Sequence, residues 1–367
     1  MGTTVTGLDV AAYRVSTDHP EADGTLAWSS TTVVAVEAHA EGTTGTGWTY
    51  SSAAAAEVVR GELAPSVVGA DPMDIPALHE RLLRSVRNLG RAGIAAAAIS
   101  AVDIALWDLK ARLLDMSLPA LFGRFRDAVP VYGSGGFTTY DDATTTAQLE
   151  HWIADDGVTQ VKIKVGESWG MRPDRDLHRV ALARRVIGAE RQLFVDANGA
   201  YGAHQAVRMG RRMLDEGGIS WFEEPVSSDD LAGLREVRNQ LPVDVAAGEY
   251  GDHESYFERM LAAEAVDCLQ IDVTRCGGYT SWLHTAALAA ARNIEVSAHC
   301  APHLHAPVCA AVPNVRHIEL FHDHRRVDAL LFAGTPAVSA GHIGMGLDLP
   351  GHGMTLKRAD AESHRVA

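Results

Sequence analysis

The chain has 367 residues, enough to bury a large core as one big domain or two modest ones. With 47% hydrophobic and 22% charged residues it has an ordinary soluble, globular composition, and no apolar run approaches the roughly 20 residues of a membrane span. A formal charge of −15 argues against nucleic acid and anionic membranes as partners, since both require a basic face.

The opening "MGTTVTGLDVAAYRV" has neither a basic n-region nor an apolar h-region, so no secretion signal is expected. Gly2 followed by Thr6 matches the loose myristoylation pattern, but the stretch reads better as an alternating strand. Cys268, Cys276, Cys300 and Cys309 lack CxxC spacing, which suits a reduced, cytoplasmic protein.

Residues 1–125 read as one α+β unit. Strand patterns at 4–15 and 31–40 are joined by the polar loop "STDHPEADGTLAWSS", and a Gly/Thr turn "EGTTGTG" follows. Helical patterns come next in "DIPALHERLLRSVRNLG" and "AGIAAAAISAVDIALWDLKARLL". From about residue 129 the rhythm changes. Strand-like segments recur as "VPVYGSG", "QVKIKVG", "QLFVDAN", "ISWFEEP", "VDVAAGE", "VDCLQID", "IEVSAH" and "RHIEL", most of them separated by amphipathic helical stretches. Eight such repeats predict a (β/α)8 barrel over residues 126–335. A doubly wound open sheet is the rival, but no GxGxxG opens a helix. The Gly/Pro-rich segment 336–367 is expected to leave the barrel and return to the first domain.

Barrel enzymes build their sites at the C-terminal ends of the strands. Strand 3 ends in Asp196, with Asn198 beyond it, and strand 4 in Glu223 and Glu224. Strands 5 to 8 end in Glu249, Asp272, His299 and Glu319, while strand 2 carries Lys162 and Lys164. Singly, each reads more simply as a helix cap or a loop charge; successive strands all ending this way do not. Strands 3, 4 and 5 are neighbours, so Asp196, Glu223 and Glu249 converge. Three carboxylates that close repel unless a cation sits among them, and all-oxygen ligation suits Mg²⁺. Lys164 and His299 then face each other across a ligand, and Asp272 is placed to fix the His299 ring. Glu319 closes the remaining side.

The segments "VKIKVG", "FVDANGAY", "WFEEPV", "AAGE", "IDVTRCGG", "SAHC" and "HIEL" resemble the mandelate racemase subgroup of the enolase superfamily. "AISAVDIALWDLKAR" is similar to the helix that closes that family's capping domain, so the resemblance spans nearly the whole chain. It implies one Mg²⁺ held by Asp196, Glu223 and Glu249, a base at Lys164 with Lys162 beside it, and a second acid/base in His299 paired with Asp272. It further implies that Glu319 bonds a substrate carboxylate oxygen and that Asn198 contacts substrate, with Glu224 outside the ligand set. A homo-oligomer, dimer or octamer, is also implied. His303, His305, His322 and His324 receive no role.

The expected first step is removal of the proton next to a carboxylate, giving an ene-diolate stabilised by Mg²⁺, Lys162 and a protonated Glu319. The base must be neutral, and Lys162 and the metal are both expected to lower the Lys164 pKa. Returning the proton on the other face is racemisation or epimerisation; expelling a β-hydroxyl is dehydration to a 2-keto-3-deoxy acid; opening a ring ether is cycloisomerisation. The polar lid "STDHPEADGTLAW", with His19 and Trp28, and Tyr50 of "GWTYSS" favour a polyhydroxylated sugar acid, hence a dehydratase. A barrel hydrolase using Glu223 and Glu249 would leave Lys164 and the Asp272–His299 pair without a purpose, and a non-catalytic scaffold would leave the intact set unexplained.

Overall fold

The computed structural model describes residues 3–345 and 348–367. Gly2 of the acylation pattern, and Gly346 and Leu347 of the C-terminal segment, lie outside the described residues. Among those described, no helix is long and apolar enough to cross a membrane.

The N-terminal part is a three-stranded antiparallel sheet, β1 (Gly7–Ala22), β2 (Ala27–Ala40) and β3 (Thr43–Tyr50), in that order. The sheet runs further than the sequence suggests. The expected loop 16–30 is mostly strand: after a bulge between Ser16 and Glu21 the ladder resumes at Glu21–Trp28 and Ala22–Ala27, leaving Asp23–Leu26 as the turn. Asp23 closes that turn by accepting from the backbone N–H groups of Thr25 and Leu26. The expected Gly/Thr turn is likewise short, Glu41–Gly42, and Thr43 onward is β3. Its glycines serve packing. A Cβ on Gly45 or Gly47 would lie 2.3 Å from backbone atoms of the helix Ile94–Leu113, so both must be glycine for that alanine-rich helix to lie on the strand. A helical stretch over 54–67, which the sequence reading lacked, covers the other flank.

Eight parallel strands follow: β4 (Ala128–Gly135), β5 (Gln160–Lys164), β6 (Gln192–Asp196), β7 (Ile219–Glu223), β8 (Asp244–Ala247), β9 (Cys268–Ile271), β10 (Glu295–Ala298) and β11 (Val315–Phe321). They pair in sequence order, and β11 closes on β4 with Glu319 opposite Tyr132. The fold is therefore the expected (β/α)8 barrel with an α+β cap. Period-2 alternation decides what points inward. On β5, Val161, Ile163 and the following Val165 are buried in the main hydrophobic core, whereas Lys162 and Lys164 take the opposite face. The same parity joins Phe194 to Asp196 and Trp221 to Glu223. Tyr132, Phe194, Trp221, Ala246 and Cys268 form an apolar plug inside the barrel, beneath the charged residues that end the strands.

The C-terminal segment contacts both parts. His342–Gly344 pairs antiparallel with the start of β4. At the end of the chain, Ala12 donates its N–H to the Ala367 carbonyl at 2.8 Å, and Arg14 donates to His364.

Candidate active site

The carboxylates of Asp196, Glu223 and Glu249 are all buried, and one oxygen from each lies within 4.8 Å of the others. β6 and β7 are paired with Asp196 directly opposite Glu223, which fixes their approach, and Glu249 follows β8 after the turn at Gly248. This donor set, three hard oxygens of formal charge −3, fits a small hard divalent cation. Glu249 Oε2 and Glu224 Oε1 are buried without a hydrogen-bond partner, so acceptor capacity is left at the mouth. Burial first, then Asp196 and Glu319, raise Glu223 to about 8 despite Lys162.

Lys162 reaches across the interior. Its Nζ donates to Glu223, lies 2.8 Å from Glu319 Oε1 and is 3.6 Å from Asp196. Lys164 Nζ donates to Asp196 Oδ2 at 2.5 Å. Burial disfavours the Lys164 ammonium, but the Asp196 carboxylate outweighs burial and the repulsion from Lys162, holding its pKa above the ordinary lysine value. A cation held by Asp196 would offset that carboxylate, leaving Lys162 and the ion as the neighbours expected to lower Lys164.

On the other flank, His299 Nδ1 donates to Asp272 Oδ2 at 2.8 Å, which leaves the Nε2 lone pair facing the cavity. Asp272 is held by Thr274, whose N–H and hydroxyl both donate to its Oδ1 at 2.7 Å. Burial opposes the imidazolium, yet Glu249, Glu319 and the Asp272 bond outweigh it and move His299 upward. Glu319 accepts from Ser134 and from the Cys300 N–H, and is held well below the usual carboxylate range: burial raises it, and Lys162 and His299 more than reverse that. Four non-glycine residues here have left-handed backbone, Asn198 (φ +45°), Glu224 (+35°), Cys300 (+51°) and Ala301 (+39°), a concentration of strain at the strand ends.

A cavity of about 210 Å³ opens above these groups. Lys164, Asn198, Glu249 and His299 line it from the barrel, and Asp23, Leu26, Trp28 and Thr31 from the cap. Trp28 donates its indole N–H to the buried Glu21 at 2.7 Å and packs edge-on to Phe137. The turn tip docks closely: a Cβ on Gly24 would meet the carbonyl oxygens of Val165 and Gly166 at 2.8 Å. Two residues expected to meet substrate stand apart. His19 is exposed, packs edge-on against Tyr140, and is not among the lining residues. Tyr50 donates its hydroxyl to Asp328 and stacks on His324, outside the cavity. Conversely, Tyr250, Arg275, Cys300, Phe321 and His324 line the cavity without having been singled out as substrate contacts. Arg275 and Cys300 lie inside the quoted "IDVTRCGG" and "SAHC" segments, so position just past a strand end was the available signal. Two of the histidines given no role have structural partners: His303 bonds Asp328 at 2.8 Å, and His305 accepts from the Val273 N–H.

Residues 8–123 match the mandelate racemase/muconate lactonizing enzyme N-terminal domain, and residues 144–361 match the enolase C-terminal domain-like family. The chain belongs to the mandelate racemase/muconate lactonizing enzyme family of the enolase superfamily. A member of this family from Rubrobacter xylanophilus, described as mandelate racemase/muconate lactonizing enzyme-like, is 46% identical, covers 99% of this chain and 100% of its own, and superposes with a TM-score of 0.95. The 3,6-anhydro-alpha-L-galactonate cycloisomerase of Streptomyces coelicolor is 34% identical over 325 residues, 86% of each chain. L-Talarate/galactarate dehydratase of Salmonella typhimurium is 33% identical over 279 residues, 74% of this chain and 68% of that one. A crystal structure of the Salmonella dehydratase liganded with Mg and L-lyxarohydroxamate has a TM-score of 0.89 at 26% identity over 100% of this chain and 94% of that one.

Proposed function

We propose that this chain is a Mg²⁺-dependent acid-sugar dehydratase that converts an aldonate or aldarate to a 2-keto-3-deoxy acid. The observation that carries the reading is the pairing of a buried three-carboxylate cluster with the amino group of Lys164 on one flank and an Asp272-held imidazole, His299, on the other. Asp196, Glu223 and Glu249 would hold the ion, which when bound supplies Lewis-acid stabilisation of charge developing on the substrate carboxylate. Lys162 adds fixed positive charge beneath the same group. Lys164 or His299 removes the α-proton, according to substrate configuration, and the opposite residue donates a proton to the departing β-hydroxyl. The enol so formed tautomerises to the keto acid. Glu319 and Asn198 orient the carboxylate end, Trp28 covers the sugar chain, and the cap excludes water.

The division of labour follows the chain: residues 1–125 form the selecting cap, 126–335 the catalytic barrel, and 336–367 a strap returning to the cap. The compartment is the cytoplasm, in keeping with four free, buried cysteines. The working form is a homo-oligomer, dimer or octamer.

A second reading, cycloisomerisation of an anhydro sugar acid, is supported by the Streptomyces relative, which aligns over 86% of both chains. The same proton abstraction then opens a ring ether. A panel of sugar acids assayed for 2-keto acid with semicarbazide, alongside anhydro acids followed by NMR, separates the two. Keto acid from a sugar acid supports dehydration; turnover of anhydro acids alone would overturn it. Exchange of the α-proton in D2O tests the shared first step, and loss of exchange on different faces in Lys164→Ala and His299→Asn is the expected result.

A further inference from the structure

His299, Cys300 and Glu319 form a second cluster whose donor atoms lie within 4.8 Å of one another. It shares the mouth with the carboxylates but differs in chemistry: an imidazole, a thiol and one carboxylate oxygen, a set that favours soft or borderline cations over Mg²⁺. His299 Nε2 is 3.4 Å from Cys300 Sγ and 3.7 Å from Glu319 Oε2. Tetrahedral zinc bonded to N, S and O at its usual lengths separates the donors by about 3.4–3.6 Å, so the two edges that meet at His299 Nε2 need only a few tenths of an ångström of adjustment, and the third, between Cys300 and Glu319, lies within 4.8 Å.

Three local features build it. Consecutive residues of a strand point to opposite faces, but Cys300 has left-handed backbone (φ +51°), and both its thiol and the His299 ring reach the cavity. Asp272 accepts a hydrogen bond from Nδ1–H and leaves Nε2 as a lone-pair donor, the arrangement that orients metal-binding histidines. Glu319 splits its oxygens: Oε1 faces Lys162 and Ser134, while Oε2 faces Cys300 and His299. Cys268, Cys276 and Cys309 do not line the cavity.

We propose that His299, Cys300 and Glu319 constitute a thiophilic divalent-cation site, taking Zn²⁺ or Cd²⁺, whose occupation withdraws His299 from proton transfer. On binding, Cys300 Sγ–H loses its proton to water as the sulfur–metal bond forms, and nothing is oxidised or reduced. An open fourth position faces the cavity and takes water. The enzyme is thereby inhibited by soft metals through a site that adjoins the one holding its own ion, His299 Nε2 lying 3.3 Å from Glu249 Oε2, and differs from it in using the Cys300 sulfur.

The test uses the full chain saturated with Mg²⁺ and titrated with Cd²⁺, following the ultraviolet cadmium–thiolate charge-transfer band. One equivalent should saturate the band, and Cys300→Ser should abolish it while leaving Mg²⁺ affinity and melting temperature near wild type. His299→Gln should weaken Cd²⁺ binding by at least about tenfold. In parallel, Zn²⁺ inhibition of α-proton exchange should need at least about tenfold more Zn²⁺ in Cys300→Ala. The proposal is overturned if no band forms at one equivalent or if the band survives in Cys300→Ser. Inhibition relieved by added Mg²⁺ equally in wild type and Cys300→Ala also overturns it, because Zn²⁺ would then be displacing Mg²⁺ at the carboxylates. The cadmium band is read without substrate, so its outcome is independent of whether the dehydratase assignment stands.

Discussion

Asp272→Asn is the sharpest probe of the His299 arm. Asp272 Oδ1 accepts two hydrogen bonds from Thr274 and Oδ2 accepts from His299 Nδ1. An asparagine cannot satisfy both sides. With its carbonyl kept toward Thr274, its NH2 meets the Nδ1–H donor and drives His299 to the tautomer whose Nε2 is protonated and cannot act as a base. With the amide turned, the Thr274 donors lose their acceptor instead. That conflict costs about 1–3 kcal/mol, and loss of a charge-assisted hydrogen bond to the imidazolium about 1.5–3 kcal/mol. At 1.36 kcal/mol per factor of ten, the two together predict a fall of about 70- to 25,000-fold. The assay is α-proton exchange in D2O by proton NMR, on a substrate and its C2 epimer assigned to each face by Lys164→Ala and His299→Asn. Exchange on the His299 face should collapse, and exchange on the Lys164 face should stay within about threefold, a shift of under 1 kcal/mol. Equal loss on both faces would refute the reasoning, because Asp272 would then be supporting the mouth as a whole rather than one imidazole.

Three further outcomes follow from the geometry. Glu21 is buried; burial chiefly, with Asp323 and Asp18 near, raises its pKa to about 8 against the Trp28 bond and Arg326. A carboxyl whose folded pKa exceeds its unfolded value stabilises fully below about pH 4.5 and progressively less as pH rises to about 8. Its share of the unfolding free energy should decline by at most about 1.4 kcal/mol per pH unit across that window. Glu21→Gln should flatten this part of the stability–pH curve, and parallel wild-type and variant curves would contradict it. Gly24→Ala should raise KM severalfold with melting temperature little changed, since the added methyl meets backbone carbonyls at 2.8 Å and lifts the turn from the barrel; unchanged KM would mean the turn does not cover substrate. Stripping divalent ions with a chelator should lower the melting temperature, and Mg²⁺ at 100 times its Kd should restore about 2.7 kcal/mol of stability. Asp196→Asn should lose most of that response in differential scanning fluorimetry.

The barrel was legible because its strands are short and apolar on their outer face and those after the first carry an ionisable residue at or just past the C-terminal end, so periodicity and position agreed from "QVKIKVG" to "RHIEL". The carboxylate cluster followed from strand order alone. The cap was harder to read. β1 and β2 continue past residue 16 as a partly exposed ribbon, where polar side chains resemble a loop. β3 has glycines at 45 and 47 because of a helix about 55 residues later in the chain, a contact that local pattern cannot reveal. The polarity that suggested His19 and Tyr50 as substrate contacts has other causes, exposure for His19 and the Asp328 bond for Tyr50. The charge states of Lys164 and Glu319 depend on distances between strands, which spacing does not supply.

The turn Asp23–Leu26 carries a practical consequence. It is a contiguous insert whose limits are marked on both sides by one side-chain bond, Glu21 to Trp28, and it docks on the barrel through Gly24 and the Asp23 and Gly24 carbonyls, which accept from Thr138 and the Trp169 N–H. On the proposed function, selection and chemistry would reside on pieces that can be exchanged independently. Grafting a different turn between residues 22 and 27, while keeping glycine at the docking position, should then re-aim the enzyme at another acid without changing a residue at the strand ends.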